Sequence, residues 1–165
     1  MNNTVKKLAR AGLIASLYVV LVVPTISVAS GMLQFRLSEA LTILPLFFVE
    51  AIPALGVGCI VANLITGCSL LDIFCGAIIT LLSAVLTRYV ARLFKNKWLK
   101  FFVGGAFPIL LNAFLLPVVW YVAYGELLSL YIVNVACLLL SQSVSIYGVG
   151  ALLYNGIEKS KLLNN

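Results

Sequence analysis

The chain has 165 residues, of which 63% are hydrophobic and 10% are charged, and its mean hydropathy is +1.15. A soluble domain carries about 25% charged residues, so this composition excludes that class and indicates an integral membrane protein. The net charge of +6 does not indicate a nucleic-acid partner, because the Lys and Arg residues flank apolar runs, where lipid head groups and membrane topology account for them.

The first predicted element is an apolar helix over residues 8–29. Its charged start and the Val28-Ala29-Ser30 sequence near its end resemble a secretory signal with a cleavage site. At about 1.5 Å per residue, however, the run is long enough to span a bilayer, and the apolar core of a signal peptide is shorter. We therefore interpret it as the first membrane helix.

Two shorter apolar pieces follow, over residues 37–49 and 52–66. Glu50 and Pro53 separate them, and neither piece reaches the ~20 residues that a spanning helix requires. They form either two short helices or one re-entrant hairpin. Both alternatives return the chain to the side from which it entered, so the topology of the later spans does not depend on the choice.

Three longer apolar spans cover residues 71–94, 98–123 and 127–157. The last two exceed the minimum length and are interrupted by Pro108, Pro117 and glycines, so we expect them to tilt or kink. The complete pattern predicts an all-α membrane protein. We expect a six-helix transmembrane bundle with short second and third helices, forming a single domain over residues 1–165.

The basic residues predict how this bundle is oriented. All but one of them fall into three clusters, over residues 6–10, 88–100 and 159–161. Because short loops rich in Lys and Arg stay in the cytoplasm, we expect both termini and the middle cluster to be cytoplasmic. The exception is Arg36, which follows the first helix and should therefore lie on the opposite, outer side.

Polar side chains concentrate toward that outer side and inside the spans. They are the carboxylates Glu39, Asp72 and Glu126 and the amides Asn63, Asn112, Asn134 and Gln142. Ionisable groups at membrane depth are costly and mark substrate or ion pathways. The alternative is that the amides only bond neighbouring helices, at about 0.6 to 2 kcal/mol each. Since Tyr121 and Tyr131 lie nearby in sequence, we interpret the whole set as the lining of a binding cavity.

Enzyme chemistry is not indicated. The chain has no His, which excludes the usual Ser-His-Asp and Cys-His arrangements, and it contains no phosphate-binding GxxxxGK[ST] loop. Its four cysteines show no CxxC spacing, so we expect no metal site. Internal repeats are not evident, which argues against a transporter built from two inverted halves. A small helical binder that takes its energy from another chain fits these observations best.

Three segments carry a resemblance to a known family. Residues 34–45 (QFRLSEALTILP), 58–64 (GCIVANL) and 71–76 (LDIFCG) resemble the QueT family. Its members are the substrate-binding S components of energy-coupling factor transporters, which take up queuosine precursors. The resemblance covers essentially the whole chain, and the segment around Arg36 and Glu39 is its most specific part. Toward the end of the chain the resemblance is looser, because the family pattern leads us to expect a glutamate at the position of Gln142.

The resemblance implies a multi-pass subunit of the bacterial cell membrane that captures a 7-deazaguanine, such as the aminomethyl form or queuine, from outside. Its partners would be a transmembrane coupling subunit and two ATPases, which would hold ATP and Mg²⁺, so that no cofactor is expected in this chain. The Ala11 to Ala15 segment is similar to the AxxxA motif that docks S components on the coupling subunit. Residues 31–38 would close over the solute, and the whole body would then topple to release it inward.

The resemblance also implies roles for single residues. The predicted substrate-binding residues are Arg36, Glu39, Asn63, Asp72, Asn112, Tyr121, Tyr131 and Gln142. Glu39 or Asp72 would accept bonds from the guanine-like edge or pair with an ammonium group. One of the three amides would contact the carbonyl, and Tyr121 or Tyr131 would stack on the ring. Arg36 would orient Glu39, three residues away on the same helical face.

Three other functions stay open at this point. The chain is alternatively an S component for another vitamin or nucleobase, because a fold does not specify its ligand. It is alternatively a stand-alone ion-coupled carrier that uses Asp72 or Glu39 as its ion site. A structural membrane subunit is the third alternative, and the polar groups on the outer side argue against it.

Overall fold

The computed structural model describes residues 2–25 and 35–160, and every regular element in these two ranges is helical. The elements are α1 (Asn3–Val22), a 3₁₀ helix (Leu37–Leu46), α2 (Ala51–Ile65), α3 (Leu70–Val90), α4 (Lys97–Tyr124), α5 (Tyr131–Ser143), a π-helical segment (Val144–Val149) and α6 (Gly150–Lys159). Short 3₁₀ turns extend α1 and α3 and precede α5. The last three elements follow one another without a break and form one long helical run.

Four helical runs are long and apolar enough to cross a membrane: Asn3–Thr25, Leu70–Leu93, Lys97–Tyr124 and Leu128–Lys159. The two pieces between the first and second of them form separate short apolar helices. This confirms the predicted helical bundle with short second and third helices. The predicted end of the first helix, residues 26–29, lies outside the described residues.

The 3₁₀ helix lies at the centre of the bundle, and every residue from Ser38 to Leu46 is buried. It packs against α1, α3, α4, α6 and the π-helical segment. A 3₁₀ helix of this length is uncommon, since its hydrogen-bond geometry is poorer than that of an α-helix. At its C-terminal end the Arg88 guanidinium donates to the carbonyl oxygens of Pro45 (2.8 Å) and Leu46 (3.4 Å). These bonds satisfy carbonyls that have no partner within the helix.

Small residues let the helices approach closely. A Cβ atom added to Gly58 of α2 would lie 2.8 Å from the Cβ of Tyr18 and 3.3 Å from the carbonyl oxygen of Ala15, both on α1. A Cβ atom at Gly150 would lie 3.3 Å from the Ala40 carbonyl oxygen. Helix association in a membrane depends on such close packing, because lipid is as apolar as the side chains. The glycines therefore hold α1 and the last helical run against the centre.

Residues of the three basic clusters lie at one end of the bundle. Arg10 pairs with Glu50 at 2.7 Å, and Lys97 pairs with Glu158. Tyr154 of α6 also donates to the Lys97 carbonyl oxygen at 3.2 Å. The starts of α1 and α4 and the end of α6 thus belong to one region, which we call the charged end.

The outward faces of the long helices are apolar. More than half of the side-chain surface is exposed at Leu13 and Val20 of α1, at Ile78 of α3 and at Val122 of α4. A soluble protein does not leave so many large apolar side chains uncovered, whereas a bundle in lipid does. The helices therefore present an apolar surface to the membrane and keep their polar side chains inside.

Candidate functional site

The interior of the bundle contains a cluster of polar side chains. It consists of Arg36, Glu39, Asn63, Asp72, Asn112 and Gln142, which we call the polar cluster. All except Arg36 are at most 6% exposed. Six of the eight predicted binding residues are thus brought together by the 3₁₀ helix and by α2, α3, α4 and α5. Burial of this many polar groups in an apolar bundle is costly unless they bond one another or a ligand.

Glu39 is the centre of this hydrogen-bond network. Its Oε1 accepts from the Tyr18 hydroxyl at 2.8 Å, and its Oε2 accepts from the Asn112 amide nitrogen at 3.3 Å. The same amide nitrogen donates to Gln142 Oε1 at 3.4 Å. The carboxylate therefore connects the 3₁₀ helix with α1 and, through Asn112, with α4 and α5. Tyr18, fully buried on α1, was not among the predicted residues.

Arg36 does not pair with Glu39. One guanidinium nitrogen donates to Asn63 Oδ1 at 2.9 Å, while the buried Nε has no partner among the described residues. The physical reason is that Arg36 has an extended backbone (φ −120°, ψ 113°) and only precedes the 3₁₀ helix, so the two side chains do not share a helical face. The predicted role of orienting Glu39 has no direct contact to support it; Arg36 ties the start of this helix to α2 instead.

Asp72 lies in the first turn of α3, where the helix dipole favours a negative charge. Its backbone N–H donates to the hydroxyl of the N-cap residue Ser69 at 3.2 Å. Its carboxylate accepts from the Tyr124 hydroxyl at 3.3 Å, and this hydroxyl in turn accepts from the Ser69 N–H at 2.9 Å. Tyr124 therefore joins the end of α4 to the start of α3. Tyr124 was not among the predicted substrate-binding residues.

The carboxylates divide into two groups according to their partners. Glu50 and Glu158 form ion pairs at the charged end. Within residues 2–25 and 35–160, no Lys or Arg nitrogen lies within 4.0 Å of the carboxylates of Glu39, Asp72 or Glu126. None of the three therefore forms an ion pair there, although the Arg36 guanidinium belongs to the same cluster as Glu39 and Asp72. Carboxylates without a direct cationic partner favour ligands that carry an ammonium group or N–H donors.

The polar cluster is closed in this conformation. The space between its side chains, bounded also by Leu116 and Trp120, is only about 10 Å³. A single water molecule needs ~10 to 15 Å³ measured in this way, so no heterocycle fits without rearrangement. Residues 31–38 were predicted to close over the solute. Residues 31–34 lie outside the described residues, and Leu37 and Ser38 belong to the central 3₁₀ helix, so this end of the predicted loop is not a mobile cover.

Tyr121 and Tyr131 are not part of the polar cluster. They line a separate space of about 260 Å³, which we call the aromatic cavity, together with Pro117, Val118, Glu126, Leu127, Leu128 and Asn134. The cavity shares no lining residue with the void of the polar cluster. The structure thus divides the predicted site in two. The sequence analysis included Glu126 and Asn134 in the polar set that lines a cavity, but not among the predicted substrate-binding residues.

Ala11 and Ala15 lie at the edge of the packed face of α1. Both are partly buried against the core formed by α1, α2 and the 3₁₀ helix. Gly12 and Ser16, one residue further along, are exposed. The α1 surface available to a neighbouring helix therefore includes Gly12 and Ser16 directly, and the two alanines only at its margin.

A comparison with known proteins identifies the family. A profile described as the QueT transporter matches residues 8–159, nearly the whole chain. The chain belongs to the QueT transporter family. Neither a curated protein nor a solved structure matches the chain significantly.

Membership of the QueT family, together with the four long apolar helices, makes this a multi-pass membrane transport protein rather than an enzyme. The family implies a transporter of the S-component type with a substrate of the queuosine-precursor class. Within the described ranges, no three His, Cys, Asp or Glu side chains come together as a metal site. The chemistry available in the polar cluster is therefore hydrogen bonding and charge pairing by carboxylates and amides.

Proposed function

We propose that this protein is the substrate-binding S component of an energy-coupling factor importer and that it captures a 7-deazaguanine precursor of queuosine from outside the cell. The observation that carries the proposal is the polar cluster. Five buried carboxylate and amide side chains meet inside an apolar bundle of the QueT family. Buried ionisable groups of this kind mark substrate pathways in membrane proteins, and the set provides the donors and acceptors that a guanine-like ring requires.

The chemistry of the polar cluster matches the ligand. A 7-deazaguanine presents adjacent N–H donors and a carbonyl acceptor on one edge. Glu39 and Asp72 accept from the donors, and an amide of Asn63, Asn112 or Gln142 donates to the carbonyl. In the closed state these groups bond one another. Binding therefore exchanges internal hydrogen bonds for bonds to the ligand, which requires the cluster to open.

The energy for transport comes from partner chains. The sequence has no phosphate-binding loop, so two ATPase subunits hydrolyse ATP and a transmembrane coupling subunit transmits the motion. The charged end faces the cytoplasm, because that side retains loops rich in Lys and Arg. This orientation places the Ala11 to Ala15 part of α1 on the cytoplasmic half of the bundle, where the coupling subunit docks, and the polar cluster nearer the outer side.

Co-purification followed by a ligand screen tests this proposal. The chain, co-expressed with a coupling subunit and two ATPases, is expected to be recovered in a complex with them. Binding of 7-aminomethyl-7-deazaguanine, 7-cyano-7-deazaguanine and queuine to the purified chain is then measured by titration calorimetry. Saturable binding of at least one compound supports the substrate class. Binding of an unrelated vitamin, with none of the three, makes the chain an S component for another substrate.

Docking is tested separately with the Ala15→Leu variant. A bulky side chain at the margin of α1 is expected to leave ligand affinity within about two-fold and to abolish transport by the complete complex. Leu13→Ala, on the lipid-facing side of the same helix, serves as the control and should transport normally. Loss of ligand binding by Ala15→Leu would instead show that this alanine serves internal packing.

A further inference from the structure

The aromatic cavity is a second space in the bundle, apart from the polar cluster. It is partly open, since Leu127 and Leu128 are each 69% exposed. It lies between the C-terminal half of α4, the connection over residues 125–130 and the first turn of α5. Trp120, which bounds the void of the polar cluster, packs with Ala113 and Leu138 in an apolar cluster. The cavity and the polar cluster are thus separate spaces in this structure, and the cavity is the one with room for an organic molecule.

The lining of the cavity specifies the charge of its occupant. It contains one carboxylate, Glu126, and no Lys or Arg. Asn134, only 5% exposed, donates to Glu126 Oε2 at 2.8 Å and thereby fixes the carboxylate. A phosphate or carboxylate ligand would find no cation here and would be repelled by Glu126. A ligand with an ammonium group or N–H donors would form a charge-assisted bond.

The rest of the lining specifies the shape. Two tyrosine rings and the apolar side chains of Pro117, Val118, Leu127 and Leu128 form the walls. Tyr131 is held by its hydroxyl, which donates to the Phe114 carbonyl oxygen at 3.2 Å. Aromatic rings favour a flat ligand that stacks on them or meets their edges. The volume of about 260 Å³ is just below the ~300 to 1,000 Å³ of sites for drug-sized molecules, so the ligand has one fused ring system and not the size of a nucleotide.

We propose that the aromatic cavity is a binding site for a flat organic cation, whose ammonium group pairs with Glu126 and whose ring lies against Tyr121 and Tyr131. The proposal rests on the proposed function for the choice of ligand, 7-aminomethyl-7-deazaguanine. The cavity binds this ligand before the polar cluster opens, since it is the space already large enough. It prefers the aminomethyl form to the neutral cyano form, because only the former supplies a cation.

A location-specific experiment tests this site. Leu128 lines the cavity and is 69% exposed, so the thiol of a Leu128→Cys variant is accessible to a small membrane-permeant thiol reagent, which reaches it from water, lipid or detergent. The labelling rate is measured in the purified full chain with and without 7-aminomethyl-7-deazaguanine or its cyano analogue. A Leu93→Cys variant, 78% exposed and outside the cavity lining, is the control. The background from the four native cysteines is subtracted with the unmodified protein.

If this site exists, a saturating concentration of the aminomethyl compound slows thiol labelling at position 128 at least ten-fold. The labelling rate at position 93 should not change. The cyano compound should need a concentration about 10- to 100-fold higher, since it lacks the charged bond. In a Leu128→Cys protein that also carries Glu126→Gln, the concentration of the aminomethyl compound needed to protect the thiol should rise by a similar factor. Glu158→Gln, a carboxylate at the charged end, should not change it.

A second variant keeps the test decisive if Glu126→Gln does not fold. Tyr121→Ala changes a side chain that is 51% exposed and should weaken protection by both compounds about five-fold or more, because ring stacking is lost. Tyr89→Ala, also exposed but outside the cavity, is its control. Calorimetric binding without protection at position 128, or protection independent of Glu126 and Tyr121, overturns this site alone. Absence of any 7-deazaguanine binding overturns the proposed function and this site together.

Discussion

Replacement of Glu39 by Gln separates a ligand-binding carboxylate from a structural one. Alanine is a poor choice at this position, because it would leave the Tyr18 hydroxyl buried without its acceptor and the Asn112 amide with Gln142 alone. An unsatisfied buried donor costs about 1 to 3 kcal/mol, which is a large part of a typical stability of ~5 to 15 kcal/mol. Glutamine keeps the shape and one acceptor oxygen, and we expect it to lower the free energy of unfolding by about 1 to 3 kcal/mol.

Glu39→Gln is also expected to weaken ligand binding, by more than the small change in side-chain structure alone would do. If Glu39 accepts a hydrogen bond from the ring edge, Glu39→Gln loses the charged component of that bond, about 1.5 to 3 kcal/mol. The dissociation constant for 7-aminomethyl-7-deazaguanine then rises on the order of 10- to 100-fold. Calorimetry on the purified protein gives this constant, and thermal unfolding followed by tryptophan fluorescence gives the stability of the same sample.

Tyr18→Phe is the matched control for Glu39→Gln. It removes one hydrogen bond to the carboxylate but keeps the charge, so stability should fall by ~0.5 to 1.5 kcal/mol while affinity changes little. If Glu39→Gln lowers the unfolding temperature as expected but leaves the dissociation constant within about two-fold, the carboxylate serves packing alone. That result would refute our assignment of Glu39 to the substrate.

The remaining predictions concern the second carboxylate and the packing of the bundle. Asp72→Asn should weaken ligand binding about 10-fold or more; unchanged affinity, measured by the same calorimetry, would give Asp72 only its role in the first turn of α3. Gly58→Ala should destabilise the protein by about 1 to 3 kcal/mol in thermal unfolding, since its new Cβ atom meets α1, whereas Gly12→Ala has nothing within 4 Å and should not destabilise. Arg88→Ala should lower the free energy of unfolding by about 1.5 to 3 kcal/mol, because it removes the bonds to the end of the 3₁₀ helix. Arg92 is exposed, so Arg92→Ala should change that free energy by no more than ~0.5 kcal/mol. Equal effects of the two substitutions would show that these bonds do not stabilise the bundle.

The helices were largely predictable because length and apolarity are set by the bilayer. Runs over residues 71–94 and 98–123 differ from the observed α3 and α4, with their flanking turns, by one residue at each end or less. The division of residues 37–66 into two short helices follows from Glu50, which the structure places in an ion pair at the charged end. The 3₁₀ form of one helix and the π-helical segment were not predictable, because packing against several neighbours determines them.

The residues of the polar cluster were largely predictable from the sequence, but their hydrogen-bond partners were not. Buried carboxylates and amides stand out in an apolar sequence, which is why Glu39, Asp72 and Asn112 were recognised. Their partners were not, since Arg36 meets Asn63 across 27 positions of the chain. The two tyrosines were assigned to the same site from nearness in sequence alone. On α4, neighbouring residues differ by about 100° in direction, so Trp120 bounds the polar cluster while Tyr121 lines the aromatic cavity.

Uptake into vesicles tests the central claim most directly. Proteoliposomes containing this chain with the coupling subunit and both ATPases are compared with proteoliposomes containing this chain alone, using radiolabelled 7-aminomethyl-7-deazaguanine and ATP on the ATPase side. The proposed function predicts saturable, ATP-dependent accumulation only in the complete complex, and none when an ATPase is inactive. Accumulation by the chain alone, driven by an ion gradient, would contradict it and would make the protein a stand-alone carrier.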